Sequence, residues 1–141
     1  MGKKDAYLEH LAAVPLFANL AKRDLAAIAK SATEIAVKAG TVLVDQGQVG
    51  TEAFVIVEGR ATITRNGRKI TSVGPGAIVG EMSLIDRGPR SATAKMETDG
   101  VVLVLTQREF LGLIDQSPAV SRKVMVTLAR LVRESDRRTY G

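Results

Sequence analysis

The chain has 141 residues, 45% of them apolar and 25% charged, with a formal charge of +5; that is enough for one buried core and too little for two. It has no cysteine and only one histidine, His10, so disulfide frameworks, thiolate metal sites, iron–sulfur clusters, histidine-cluster metal sites and two-imidazole mechanisms are all excluded. Aromatic residues at 4%, with no tryptophan, argue against a stacking platform for single-stranded nucleic acid.

In chain order, the first third reads helical. Leu8, Leu11, Ala12, Leu16 and Leu20 recur every three to four residues, interrupted by Pro15. Leu25, Ile28 and Ala29 repeat the pattern with Asp24 near the start, so two short helices joined by a turn are predicted. The period then changes. Thr41–Asp45, Ala53–Glu58, Arg60–Arg65, Lys69–Val73, Ala92–Glu97 and Val101–Thr106 are short runs rich in Val, Ile and Thr, separated by turn residues. They predict strands of a sandwich or jelly-roll barrel. Asn66-Gly67 is a hairpin signal, because a type I′ turn needs positive φ at both central residues. Ala61 and Ile63 alternate with Thr62 and Thr64, so that strand should bury one face. Val42, Val44, Phe54, Ile56, Ile63, Ile70, Val102 and Val104 are the expected barrel core. The end is helical again. Arg108–Asp115 should turn Phe110, Leu111 and Ile114 inward. Ser117-Pro118 should cap and start a longer helix, with Val120, Val124, Leu128 and Leu131 (with Val132) as its apolar stripe.

Charge is unevenly placed. Residues 1–118 are net +1, and residues 119–141 carry the remaining +4 through Arg122, Lys123, Arg130, Arg133, Arg137 and Arg138. This is either a solvated helix face or a contact surface for nucleic acid, acidic lipid or a partner protein. No clean apolar run is longer than Val101–Leu105, which falls far short of the ~20 residues a membrane span requires. No long apolar core follows Lys3 and Lys4, so no signal peptide is expected and a cytoplasmic location is.

One segment stands apart: Gly80-Glu81-Met82-Ser83-Leu84-Ile85-Asp86-Arg87-Gly88-Pro89-Arg90-Ser91-Ala92-Thr93. Gly80 allows the backbone to bend and a ligand to approach closely. The amides of residues 82–84, at a helix start, would be free donors for an anion. Arg90, set by a Gly-Pro turn, offers a guanidinium fork that suits phosphate, and Ser91 adds a hydroxyl. Glu81 should repel a phosphate, but it makes sense as acceptor for a ribose hydroxyl beside one, a charged hydrogen bond contributing about 1.5–3 kcal/mol. The plain alternative is that Glu81 and Arg90 pair and tie down a loop.

The same segment resembles the phosphate-binding cassette of cyclic nucleotide-binding domains, of the catabolite activator protein and protein kinase A regulatory subunit type. Val14-Pro15-Leu16-Phe17 with Leu20 and Leu25 is similar to that family's N-terminal helical motif. Gly40, Gly47, Gly50, Phe54-Val55-Ile56 and Gly59 stand where its strand-turn glycines and first core strands lie, and Arg108-Glu109-Phe110 resembles the start of its first C-terminal helix. About residues 8–135 are covered.

The resemblance implies an α+β fold: an antiparallel β jelly-roll barrel (about residues 40–106, cassette 80–93) flanked by N-terminal helices (about 6–35) and C-terminal helices (about 107–138), one domain over residues 1–141. It also implies a non-catalytic sensor of a cyclic purine nucleotide, cAMP ahead of cGMP, with no metal. Glu81 would bind the ribose 2′-hydroxyl and Arg90 the cyclic phosphate. Gly80, Met82, Ser83 and Ala92 would offer backbone contacts, and Ser91 would reach the phosphate. Leu84 would couple the cassette to Phe110 and the last helix, which would close as a lid; Val124, Leu128, Leu131 and Tyr140 are candidates to cap the base. Val79, Thr51, Ala77 and Ala94 depart from the family's usual residues.

Family members control an effector. A helix-turn-helix does not fit in Arg133–Gly141, and neither channel spans nor a kinase-inhibitor segment is visible in the sequence, so the expectation is a stand-alone receiver or a piece of a larger protein acting through the C-terminal helix. Three other readings compete. A cupin-type metal enzyme is disfavoured by the single histidine. A nucleic-acid binder using the basic end would make only non-specific contacts. A degenerate domain would keep the fold as a protein-interaction module.

Overall fold

The computed structural model describes the backbone of residues 7–140 and the side chains of residues 7–135. The described residues open with α1 (Leu8–Ala12), a 3-10 turn at Pro15–Phe17 and α2 (Lys22–Ser31). Pro15 breaks the helical run because it has no N–H to donate, and it takes the first position of the 3-10 turn. Leu11, Leu16, Phe17, Leu25 and Ile28 are buried, so the three-to-four spacing marks the inward face. The hydroxyl of Tyr7 donates to Glu34 and ties the residue before α1 to the first strand. That bond and burial push the phenol up to about 12.

Eight strands follow: β1 (Thr33–Val37), β2 (Val42–Val44), β3 (Glu52–Glu58), β4 (Ala61–Arg65), β5 (Arg68–Val73), β6 (Ile78–Val79), β7 (Thr93–Met96) and β8 (Gly100–Thr106). They form two four-stranded antiparallel sheets, ordered β1-β8-β3-β6 and β2-β7-β4-β5, which together make the expected jelly roll. Asn66 and Gly67 have φ of 53° and 77°, as the β4–β5 hairpin requires.

The first sheet is apolar on both faces, with a two-residue period. Ala53, Val55, Leu103 and Leu105 pack towards the helices, whereas Ile56, Val102 and Val104, with Phe54 beside them, pack towards the second sheet. Each large aliphatic side chain buried this way stabilises the fold by about 1.5–3 kcal/mol.

The C-terminal part is α3 (Gln107–Gln116) and α4 (Pro118–Tyr140). Thr106 caps α3 by accepting from the Glu109 N–H at 3.1 Å, and Ser117 accepts from the Val120 N–H at 3.3 Å at the start of α4. The rings of Phe17 and Phe110 meet at 5.6 Å, joining the N-terminal turn to α3. Val120 and Val124 are buried in the same cluster, with Leu128 against it. Among the described residues no helix is long and apolar enough to cross a membrane.

Five expectations need correction. Residues 33–37 form a strand where helix was extended to about residue 35, and the two-residue β6 was not foreseen. Val42 is 48% exposed, because a bulge between Val42 and Val44 breaks the alternation and turns the two valines to opposite sides. Ile70 is 50% exposed: the β4–β5 register passes from Ile63↔Thr71 to Thr64↔Lys69, which leaves Ile70 as the extra, unpaired residue. Leu111 is 37% exposed, since Phe110, Leu113 and Ile114 set the inward stripe of α3.

Candidate functional site

The Gly80–Thr93 segment, the second sheet and β6 of the first line a cavity of about 490 Å³, within the range of small-molecule sites. One wall belongs to the segment itself and is polar: Gly80, Glu81, Ser83, Asp86, Arg90 and Ser91, with Met82 and Ala92. The other is strand-built and apolar: Val44, Ile63, Val73, Ile78, Val79 and Ala94, with Arg65 on the same side of β4 as Ile63.

Gly80 has φ of +77°, a left-handed conformation that turns the chain from β6 into a 3-10 turn at Glu81–Leu84. The N–H of Ser83 donates to the Gly80 carbonyl at 3.1 Å. The expectation of three free amides at residues 82–84 is therefore corrected: a 3-10 turn this tight spends the Ser83 donor on its own closure.

Arg90 is held on its backbone and on its side chain. Its N–H donates to the Gln48 carbonyl and its carbonyl accepts from the Gly47 N–H, both at 2.9 Å, beside a bridge between Val49 and Pro89. Its Nη1 donates to the Ser83 hydroxyl at 2.7 Å. A methyl group at Gly50 or Gly80 would collide with the guanidinium, so the arginine lies in a slot cleared by two glycines. Burial pulls its pKa below the usual arginine range, opposed by the nearby charge of Glu52. Arginine still stays protonated, and a half-desolvated cation facing a cavity is a strong anion reader.

Glu81 does not pair with Arg90. Burial pushes its carboxyl above the usual carboxylate range, partly offset by the backbone N–H of Leu16, from which it accepts a hydrogen bond. Its Oε2 is buried with no hydrogen-bond partner, which leaves an acceptor ready for a donor. Ser91 gives its carbonyl to Arg65 Nε at 3.1 Å. Leu84 is fully buried in one cluster with Phe110.

The sequence reading missed three members of this arrangement: Gly50, read only as a turn glycine; Arg65, at a strand end that shares the apolar face of Ile63; and Gln107, whose amide reaches the Ser83 segment. Three of the four base-cap candidates do not meet the cavity: Val124 and Leu128 pack on the core, and Leu131 is half-buried on α4 and lines no part of the cavity. The fourth, the Tyr140 side chain, lies outside the described residues. Among the described residues no three metal-ligating side chains cluster.

The model of the cyclic nucleotide-binding domain matches residues 34–117, more than half of the chain. The chain belongs to the cyclic nucleotide-binding domain family. It is 37% identical over 117 residues to a cyclic nucleotide-gated potassium channel of Rhizobium etli, covering 83% of this chain and 33% of the channel. It is 35% identical over 96 residues to the cyclic AMP receptor protein of Thermus thermophilus, covering 64% of this chain and 44% of that protein. The chain thus spans less than half the length of these two relatives. Among solved structures, the N-terminal domain of a transcriptional regulator from Streptomyces coelicolor superposes with a TM-score of 0.82 at 29% identity, covering 89% of this chain and 94% of that one. The chain is thus a cyclic nucleotide-binding domain of the sensor or regulatory kind.

Proposed function

We propose that this domain is a non-catalytic receptor for a purine 3′,5′-cyclic nucleotide, cAMP ahead of cGMP. The observation that carries the reading is Arg90: a partly desolvated guanidinium on a cavity wall, hydrogen-bonded to Ser83 and ion-paired to no carboxylate among the described residues. It reads the cyclic phosphate. Glu81, with Oε2 buried and unpartnered, accepts from the ribose 2′-hydroxyl. Gly80, Met82, Ser83, Ser91 and Ala92 complete the polar wall, and the strand wall takes the base. cAMP is preferred because the Thermus relative is named for that ligand. A Ser91 hydroxyl contact to a syn guanine is the basis of the cGMP alternative.

Binding draws the cassette around the phosphate, and Leu84 passes the shift to Phe110 and α3, with which it shares a core. The shift reaches an effector domain or partner protein through α4. Its size is bounded by the ligand's differential affinity for the two states. A cytoplasmic setting fits such a receptor.

Calorimetry with cAMP, cGMP and 2′-deoxy-cAMP on wild type, Arg90→Ala and Glu81→Ala tests the assignment. Arg90→Ala should abolish most of the affinity, and Glu81→Ala should erase the preference for the ribose form. Unchanged affinity in both variants refutes the site. A wild type that binds no nucleotide refutes the receptor.

A further inference from the structure

Gln107 is the first residue of α3 and is buried. A carboxamide there must find partners inside the protein, since leaving its donors unpaired is costly. Its Nε2 donates to two carbonyls of one short segment, Ser83 at 3.2 Å and Asp86 at 3.1 Å, which uses both hydrogens of the amide. Its backbone N–H donates to the Thr51 carbonyl at 2.7 Å. Thr51 adjoins Gly50, whose missing side chain makes room for Arg90, and Ser83 holds Arg90 through its hydroxyl. Gln107 therefore fastens both sides of the arginine slot to the start of α3.

We propose that Gln107 is a positioning residue for phosphate binding: by bracketing Ser83, Asp86 and Thr51 it fixes the slot in which Arg90 meets the phosphate, and it carries any displacement of that slot into α3. The inference rests on the reading of this cavity as a cyclic nucleotide site. Leu84 and Phe110 join the same elements by packing, which has no preferred direction; hydrogen bonds do, and the Ser83 hydroxyl must point at Arg90 to hold it. A methionine would fill the volume of Gln107 but leave two carbonyls unpaired. A glutamate would replace a donor by an acceptor facing two acceptors.

The test compares Gln107→Met and Gln107→Glu with Thr106→Ala, which removes the neighbouring helix cap without touching the Ser83 segment. Three quantities are measured: calorimetric Kd for cAMP and cGMP, the urea midpoint, and amide hydrogen exchange at residues 83–86 of the ligand-free protein. Gln107→Met should weaken nucleotide binding about tenfold, with Gln107→Glu weaker still, and both should speed exchange at residues 83–86. Thr106→Ala should keep wild-type affinity whatever it costs in stability. Should Gln107→Glu not fold, Gln107→Met alone carries the comparison. Wild-type affinity in Gln107→Met, or an equal affinity loss in Thr106→Ala at matched stability, overturns the proposal. A wild type that binds neither nucleotide ends the receptor reading separately. The bracket is then judged by exchange alone, and unchanged rates at residues 83–86 in Gln107→Met overturn it.

Discussion

On the cassette wall of the cavity the groups are polar and held by directional contacts, whereas on the strand wall they are apolar and held by sheet register. Arg90 is fixed by Gln48 and Gly47 through its backbone, by Ser83 through its side chain, and by the space left at Gly50 and Gly80. Val44, Ile63, Val79 and Ala94 owe their places only to β2, β4, β6 and β7. Directional donors at fixed positions distinguish a phosphate from other groups. A packed apolar surface accepts any flat ring of suitable size. If the cavity holds a cyclic nucleotide as proposed, its phosphate is read sharply and its base loosely, and base choice falls to polar groups of the lining such as Arg65 and Ser91.

The largest expected effect breaks the sharp wall. Arg90→Ala should weaken cAMP binding by about 2–5 kcal/mol, the usual loss for one partner of a desolvated charged contact. Titration calorimetry measures it, and the free protein should unfold near the wild-type midpoint. A loss below tenfold would mean that the two walls contribute alike.

The glycine slot allows a finer cut. Gly80→Ala must place a side chain at φ +77°, costing about 1–2 kcal/mol of stability, and it displaces Arg90 as well. Gly50 has no such backbone constraint, so Gly50→Ala should leave stability unchanged or raise it by up to about 1 kcal/mol. Its methyl nevertheless forces the guanidinium aside, so affinity should fall more than tenfold. Urea unfolding and calorimetry on the two variants separate slot from backbone; if Gly50→Ala binds like wild type, the slot is not needed.

These glycines also mark the limit of what the sequence made legible. The jelly roll could be read because short runs rich in Val, Ile and Thr are separated by turn residues, because β4 alternates apolar residues with Thr, and because Asn66-Gly67 allows few other turns. β1 escaped because an edge strand with four exposed residues shows no burial pattern, and β6 because two residues cannot show a period. Val42 and Ile70 were misjudged because a bulge shifts parity without changing composition. Arg90 and Glu81 stood out by chemistry next to Gly80. Gly50 and Gln107 did not, since what they do depends on distant segments that only the folded chain brings beside Arg90 and Ser83.

Glu81 adds a pH signature to the cassette wall. Burial raises its pKa in the folded chain, so the folded state binds its proton more tightly than the unfolded one does. The resulting contribution to stability is fully present below the ordinary carboxylate value near 4.5 and is lost as pH rises through the raised value. Glu81→Gln keeps an acceptor for the Leu16 N–H and removes the buried charge. Its thermal midpoint should exceed that of wild type at pH 7, and the two should converge in acid. The same variant should narrow the gap between cAMP and 2′-deoxy-cAMP. A midpoint difference that is constant with pH would show that Glu81 stays solvated.

The smallest effect belongs to the strand wall. Ile63→Ala removes apolar area that a purine ring would cover, roughly 40 Å², worth about 1 kcal/mol at 25 cal/mol per Å². Because a methylene surface offers no donor or acceptor, cAMP and cGMP should lose that amount alike. Arg65, on the same side of β4 and with Nε already committed to the Ser91 carbonyl, still has Nη donors that meet the acceptor edge of guanine differently from that of adenine. Arg65→Ala should therefore move the ratio of the two Kd values while Ile63→Ala leaves it fixed. If Ile63→Ala moves the ratio instead, shape on the apolar wall discriminates the bases, and the contrast between a sharp wall and a permissive one does not hold.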